Sequence, residues 1–321
     1  MIFILAIGNS AVSQINGITA AGESEELIKF TPPADAEYLF YDRPECIEAI
    51  PITPSGSPTP AIVTKASKIL VGFPVLVTRV GSIASPSVPY FFISDSQGKD
   101  IRTESGVPEI NEILEKSSIL ADEVFNADDE VMLAESIPGG TTTAMAILRS
   151  LGYDSVSSSS MSRNPVSLKL KVVEDALKRV GDIGRNEVLR ELGDPVLAFL
   201  YGFTRRFRGK VYLAGGTQML AVAALLNSDG LNQATIVTTK YVIADKTATF
   251  TRTANEIGSP FVEAKIDLSF SRYPGIREYE KGIVKEGVGA GGAYYLASTT
   301  GFTNKEIVDK IDNLYSDLIG E

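Results

Sequence analysis

Apolar residues fall into short runs separated by longer stretches of helical periodicity. Runs of strand length stand at Ile2–Ile7, Ile69–Val77, Tyr90–Ile93, Val131–Ala134, Val211–Ala214 and Ile236–Thr239. Each is short enough for a buried strand. Between them, Pro108–Phe125 puts Ile110, Ile113, Leu114 and Ala121 on one stripe, and Ser167–Val180 is amphipathic. Asp194-Pro195 is an N-cap followed by proline at the first helical position, which predicts a helix running towards Phe207. Thr303 with Glu306 forms a capping box ahead of a C-terminal helix over 303–319, with Ile307, Ile311, Leu314 and Leu318 on its inner face. Strand–helix alternation predicts an α/β fold: a mainly parallel sheet with flanking helices, Rossmann-like and three-layered, with room for a small helical subdomain. The chain is read as one large domain over 1–321.

Residues 31–60 break the alternation. They hold Pro32, Pro33, Pro44, Pro51, Pro54, Pro58 and Pro60. This is a Pro-rich loop: an ordered link on one reading, a lid over a pocket on the other. Thr59-Pro60 then starts a helix running through Lys65. Ser157–Ser160 reads as a second polar, flexible segment. The opening MIFILAIGNS has no basic residue before its apolar run and is read as a first strand, not a signal peptide. No stretch approaches the ~20 apolar residues of a membrane helix. The expectation is a soluble cytoplasmic protein with no membrane partner.

Composition narrows the chemistry. Formal net charge is −10, and the densest basic cluster is Arg205, Arg206, Arg208 and Lys210, so nucleic acid is not an expected partner. The chain has no histidine, which excludes Ser-His-Asp and Cys-His catalysis and histidine-based zinc sites. Its single cysteine, Cys46, excludes intrachain disulfides and reads as an inert thiol. Acid–base work falls to Asp, Glu, Lys or Tyr.

Four glycine-bearing loops are candidates for that work. The first is Gly8-Asn9-Ser10 with Gly17. The second is Glu135 to Thr143, inside VMLAESIPGGTTTAMAILR. There an apolar strand meets a carboxylate, a glycine turn (Gly139, Gly140), three hydroxyls (Thr141, Thr142, Thr143) and a helix start, where free N–H groups and the helix dipole favour an anion. The third is Gly215-Gly216-Thr217-Gln218. The fourth, Lys285 to Gly292, carries Glu286, Gly287 and Gly289; its formal GxGxxG lacks the βαβ context of a dinucleotide site. In a parallel sheet such loops gather at the carboxyl edge. Glu135 and Glu286 are either helix-start carboxylates or a general base and its electrostatic partner, and burial would raise their pKa values for that role. Of Lys169 and Lys171, at most one faces a site. Asp128, Asp129 and Glu130 read as a solvated turn, with no metal expected.

These loops resemble nicotinate-nucleotide–dimethylbenzimidazole phosphoribosyltransferase, the cobalamin lower-ligand enzyme, and more closely its largely archaeal branch. The closer resemblance spans nearly the whole chain: GNSAVSQINGITAAG, AESIPGGTTTA, AGGTQMLAVAALL and KEGVGAGGA. Glu135 and Thr141-Thr142 resemble the bacterial Gly-Glu-Met-Gly-Ile-Gly-Asn-Thr-Thr motif. The segment from Lys285 to Ala290 resembles the bacterial Arg-Leu-Gly-Glu-Gly-Thr-Gly-Ala motif that holds the general base. Lys169 has the spacing of a phosphate-assisting lysine. The bacterial Asp-Gly-Phe turn is replaced by Gly215 to Gln218, and a histidine-bearing segment by SFSRYPGIREYEKG.

The resemblance implies transfer of the 5-phosphoribosyl group of nicotinate mononucleotide to an aromatic base such as dimethylbenzimidazole. Glu286 would be the base and Glu135 the electrostatic partner. Gly139, Gly140, Thr141, Thr142, Thr143, Lys169, Gly215, Gly216, Thr217, Gly287 and Gly289 would hold the nucleotide. It implies no metal or redox cofactor, and a homodimer. Two other readings stand beside it: a non-catalytic nucleotide-binding or sensing protein on the same scaffold, and a nucleoside phosphorylase or nucleosidase.

Overall fold

The computed structural model describes residues 1–19, 25–48, 52–53 and 56–321. Seven parallel strands form one sheet among these residues: β1 (Ile2–Ile7), β2 (Val75–Val80), β3 (Tyr90–Ser94), β4 (Glu130–Ser136), β5 (Lys210–Ala214), β6 (Ala234–Thr239) and β7 (Phe261–Ala264). Their spatial order is β3-β2-β1-β4-β5-β6-β7. The order reverses direction between β1 and β4, where Ile4 lies opposite Leu133 and Ile7 opposite Ser136. Chains leaving the two strands part there towards opposite faces, opening a crevice at their carboxyl ends.

Successive side chains point to opposite faces, so the sheet carries a core on each. Ile4 and Ala6 of β1 join Val131 and Leu133 of β4 beneath the helices Ile110–Ala127, Gly140–Ser150, Pro195–Arg206 and Thr217–Ser228. Phe3, Leu5 and Ile7 join Met132 and Ala134 beneath Ala61–Val71, Ala290–Thr299 and Asn304–Ile319. The result is the three-layer α/β arrangement that the strand–helix alternation predicts. No helix among the described residues is long and apolar enough to cross a membrane.

Three element readings change. The apolar run Ile69–Val77 is not one strand. Ile69 to Val71 close the helix Ala61–Val71, Gly72 ends it at φ 80°, and β2 starts at Val75. Continuous apolarity hides that break, and the glycine C-cap is its one local mark. Strand β7 is only four residues long, FVEA, and escapes a periodicity test. Within 31–60, Thr31–Tyr38 is a helix with Pro32 and Pro33 in its first turn, where a missing N–H leaves no intrahelical bond unmade. Pro51 and Pro54 lie outside the described residues.

Both predicted caps form. Thr303 and Glu306 close the capping box of Asn304–Ile319. Asp194 is wholly buried; it accepts the Leu197 N–H at 2.9 Å and the Thr143 hydroxyl at 2.6 Å. It thereby fastens Pro195–Arg206 to the start of Gly140–Ser150. Asp194→Ala should destabilise the protein by about 1–2 kcal/mol, and Asp194→Asn, which keeps an acceptor for the amide, by less. Urea midpoints of the two variants check this; equal losses would mean that the buried charge, not the cap, matters.

Candidate active site

A cavity of about 810 Å³ opens at the carboxyl edge of the sheet and takes walls from the end of β4, the turn after β5 (Gly216, Thr217, Gln218), Val242 after β6, the Glu286 loop, Ser158–Ser160 and described residues between Thr31 and Pro60. That volume suits a small organic ligand.

Glu135 is the penultimate residue of β4, and its side chain turns into the cavity. Its Oε2 accepts the Ile137 N–H at 3.1 Å and its Oε1 the Gln218 side-chain N–H at 3.3 Å. Burial pushes its carboxyl up to about 8, reinforced by the negative charges of Asp194 and Glu286. The glycine turn after it leaves no alternative at Gly139. That residue sits at φ 83°, and a Cβ there would lie 2.9 Å from the Ser13 nitrogen.

Glu286 arrives from a separate loop. Val284 and Val288 flank it at φ 58° and 52°, a left-handed conformation that β-branched residues rarely adopt. Three bonds hold the loop in that state. Val284 N–H donates to Ser160 O at 3.0 Å, Val288 N–H donates to Glu135 O at 3.0 Å, and the Thr64 hydroxyl donates to Val288 O at 2.8 Å. The loop is therefore tied to the backbone of Glu135 itself. Glu286 Oε2 accepts the Thr239 N–H at 3.0 Å; Oε1 accepts those of Gly287 at 3.1 Å and Gly291 at 3.2 Å. Burial pushes its carboxyl up to about 7 against the lowering effect of these N–H groups. Glu286 thus caps the helix Ala290–Thr299 and also faces the cavity.

The other predicted residues divide. Gly139, Gly140, Thr141, Gly216, Thr217 and Gly287 line the cavity with the two glutamates. Thr142, Thr143, Lys169, Gly215 and Gly289 lie behind it. Thr142 is fully buried and Thr143 is bonded to Asp194. A Cβ on Gly215 would lie 2.8 Å from the Met219 methyl, and one on Gly289 2.6 Å from the Ala134 Cβ, so these two glycines permit close packing. The Gly8 loop also serves structure: Asn9 Oδ1 accepts the Ile83 N–H at 2.9 Å. Asp128 pairs with the N-terminal ammonium at 2.5 Å and accepts the Glu130 N–H, and the described residues hold no cluster suited to a metal.

Lys169 is buried while Lys171 is exposed, as opposite directions on one helix require. Lys169 Nζ donates to Ser157 Oγ at 3.2 Å and Ser158 O at 2.7 Å. Burial and the nearby Lys285 charge push it down to about 7. Lys285 Nζ donates to Ser159 O at 2.5 Å and pairs with Asp245 at 3.3 Å, and Asp245 accepts the Ser158 hydroxyl. Ser157, Ser158 and Ser159 are consequently buried and held, not a flexible segment. Serine composition alone conceals the two lysines that fix them.

Sequence reading missed one functional candidate, Asp35. An acid in a proline-started helix is ordinary, so nothing in the local pattern marks it. Folding brings it into the cavity wall, where it accepts the Thr59 hydroxyl on Oδ1 and the Ser136 hydroxyl on Oδ2, both at 2.6 Å.

No protein-family model matches the chain. Among solved structures, it resembles the nicotinate-nucleotide–dimethylbenzimidazole phosphoribosyltransferase of Thermus thermophilus. The TM-score is 0.63 at 15% identity over 99% of this chain and 82% of that one. A second structure, CobT from the same organism, gives 0.64 at 14% over 99% and 83%. At such identity the shared property is the fold. Among curated proteins it is 50% identical to a UPF0284 protein of Pyrococcus furiosus over 99% of both chains. It is 49% identical to one of Thermococcus kodakarensis over 99% of this chain and 98% of that one. With half its residues shared along essentially its full length, the chain belongs to the UPF0284 family.

Proposed function

We propose that this protein is a phosphoribosyltransferase that moves the 5-phosphoribosyl group of nicotinate mononucleotide to an aromatic base such as dimethylbenzimidazole. One observation carries the reading: two glutamates, Glu135 buried at the end of β4 and Glu286 half-buried on the loop before Ala290–Thr299, line one cavity at the switch point of the sheet, each with its carboxyl raised towards neutrality. The fold it shares with an enzyme of that name supports the choice of reaction.

In the proposed reaction the C1′–N bond to the pyridinium breaks and its electron pair neutralises the ring nitrogen. A ring nitrogen of the acceptor forms the new C1′–N bond. The acceptor N–H proton passes to Glu286. Glu135 stabilises the positive charge that develops on the ribose. The amides of Gly139 and Thr141 hold the 5′-phosphate, that of Gly140 being bonded to Ile137 O, with the serine strip that Lys169 and Lys285 fix. Holding donor and acceptor in line supplies much of the rate.

Incubation with nicotinate mononucleotide and a panel of benzimidazoles, purines and phenols should release nicotinate only when an acceptor is present. Release driven by phosphate or water would instead indicate a phosphorylase or nucleosidase. Tight binding without turnover would indicate a sensing protein.

A further inference from the structure

Asp35 has no role in the reaction above, yet it lines the cavity and is 6% exposed. Each of its oxygens accepts one neutral hydroxyl, from Thr59 and from Ser136. A carboxylate oxygen has room for a second donor, so each can take one more. Among the described residues Asp35 has no cationic partner. Lys285 is the single cation lining the cavity there, and it is committed to Asp245 and Ser159. The sequence has no lysine or arginine at 20–24, 49–51 or 54–55 to add another.

The position of Asp35 indicates which ligand reaches it. The wall that it shares with Thr59 and Pro60 abuts the loop of Glu286: a Cβ on Gly287 would lie 3.2 Å from Pro60, and the Thr64 hydroxyl bonds Val288 O. Glu286 is the residue that faces the acceptor in the proposed reaction. The same wall also carries apolar Ile47, Ile52 and Pro58. It therefore sets the Asp35 carboxylate beside apolar side chains as well as the hydroxyl-bearing Thr53, Ser57 and Thr59.

A purely hydrocarbon acceptor pressed against that wall would strip water from Asp35 and return no donor. With Thr59 and Ser136 still bonded, the carboxylate would keep one donor on each oxygen but lose the second, a cost that a ligand carrying a donor would not incur. We propose that Asp35 is a specificity-determining residue that accepts a hydrogen bond from an amino group on the acceptor, so that the preferred acceptors are amino-bearing azoles rather than alkyl-substituted benzimidazoles. This rests on the phosphoribosyltransferase reading. The two hydroxyls orient the carboxylate, and Thr59 couples its position to the Pro58–Pro60 turn.

The test is the ratio of kcat/KM for 5-aminobenzimidazole and for 5,6-dimethylbenzimidazole, with nicotinate mononucleotide as donor. Wild-type protein should favour the amino compound by about 10- to 100-fold. D35N should collapse that ratio and D35E restore part of it. A ratio measured within one preparation does not depend on the folded fraction, and the wild-type value alone decides if D35N fails to fold. Equal or faster transfer to dimethylbenzimidazole, or an unchanged ratio in folded D35N, overturns the assignment of Asp35 and leaves the transferase reading intact. No nicotinate release with any acceptor overturns both.

Discussion

Glu286→Gln lowers kcat for ribosyl transfer by about 10²- to 10⁴-fold, the range that a positioned general base contributes, while donor affinity stays near that of wild type. The substitution is nearly isosteric. Its carbonyl oxygen can still accept the Gly287 and Gly291 N–H groups while its NH2 faces the Thr239 N–H, which loses its acceptor; the ties of Val284 and Val288 to Ser160, Glu135 and Thr64 do not involve this side chain. What it removes is the capacity to take a proton. That capacity is well matched to neutral pH, because burial raises the carboxyl to about 7. Glu135→Gln should behave differently. Glu135 is pushed to about 8, so the empty site holds it largely protonated, and it ionises when a cationic ring enters. Its loss should weaken donor binding as well as turnover. Single-turnover rates and calorimetric donor affinities separate the two patterns. Full turnover in Glu286→Gln would remove it from the role of base and leave that step to Glu135 or Asp35, the other carboxylates lining the cavity.

Much of this site is legible in the sequence where chemistry and local geometry coincide. Glu135 and Glu286 stand out because each joins a glycine turn at a helix start, although such turns also serve close packing, as Gly215 and Gly289 do. Strands β1, β4, β5 and β6 are readable as short apolar runs. What escaped depends on contacts between distant segments. Lys169 is conspicuous in sequence, but only the fold shows that its ammonium serves Ser157 and Ser158 and not the cavity itself. Asp35 acquires meaning from Ser136, 101 residues away, and Thr59, 24 residues away. Thr142 and Thr143 look equivalent to Thr141 in sequence. Helical geometry turns them inward, and Asp194 claims Thr143. The triple-threonine signal is therefore one part cavity wall and two parts packing.

The buried acids also make the folding equilibrium respond to pH in an unusual direction. Burial raises Asp35 and Asp194 to about 6, Glu286 to about 7 and Glu135 to about 8. In the unfolded chain each titrates near its ordinary carboxylate value, about 4. Between those limits the native state binds more protons than the unfolded state, so stability falls as pH rises. Lys169 works the other way. Its native value of about 7 lies below that of an unfolded lysine, so above about pH 7 it makes stability rise with pH and offsets the glutamates. The decline should therefore concentrate between about pH 5 and pH 7 and amount to about 2–4 kcal/mol, since each titrating group contributes at most about 1.4 kcal/mol per pH unit and neighbours ionise in turn. Acids held low by hydrogen-bonded arginines, such as Asp100 and Glu191, or by hydroxyls, such as Asp245 with Thr247 and Ser158, act below that window with the opposite sign. Urea unfolding across the window reads the slope directly. Glu135→Gln should flatten it and gain stability at neutral pH, because an amide, unlike a glutamate, gives the unfolded chain nothing by ionising. A wild-type profile that is level or rising from about pH 5 to pH 7 would mean that the cavity solvates its carboxylates when empty, and the raised pKa values on which Glu286 depends as a base would fall with it.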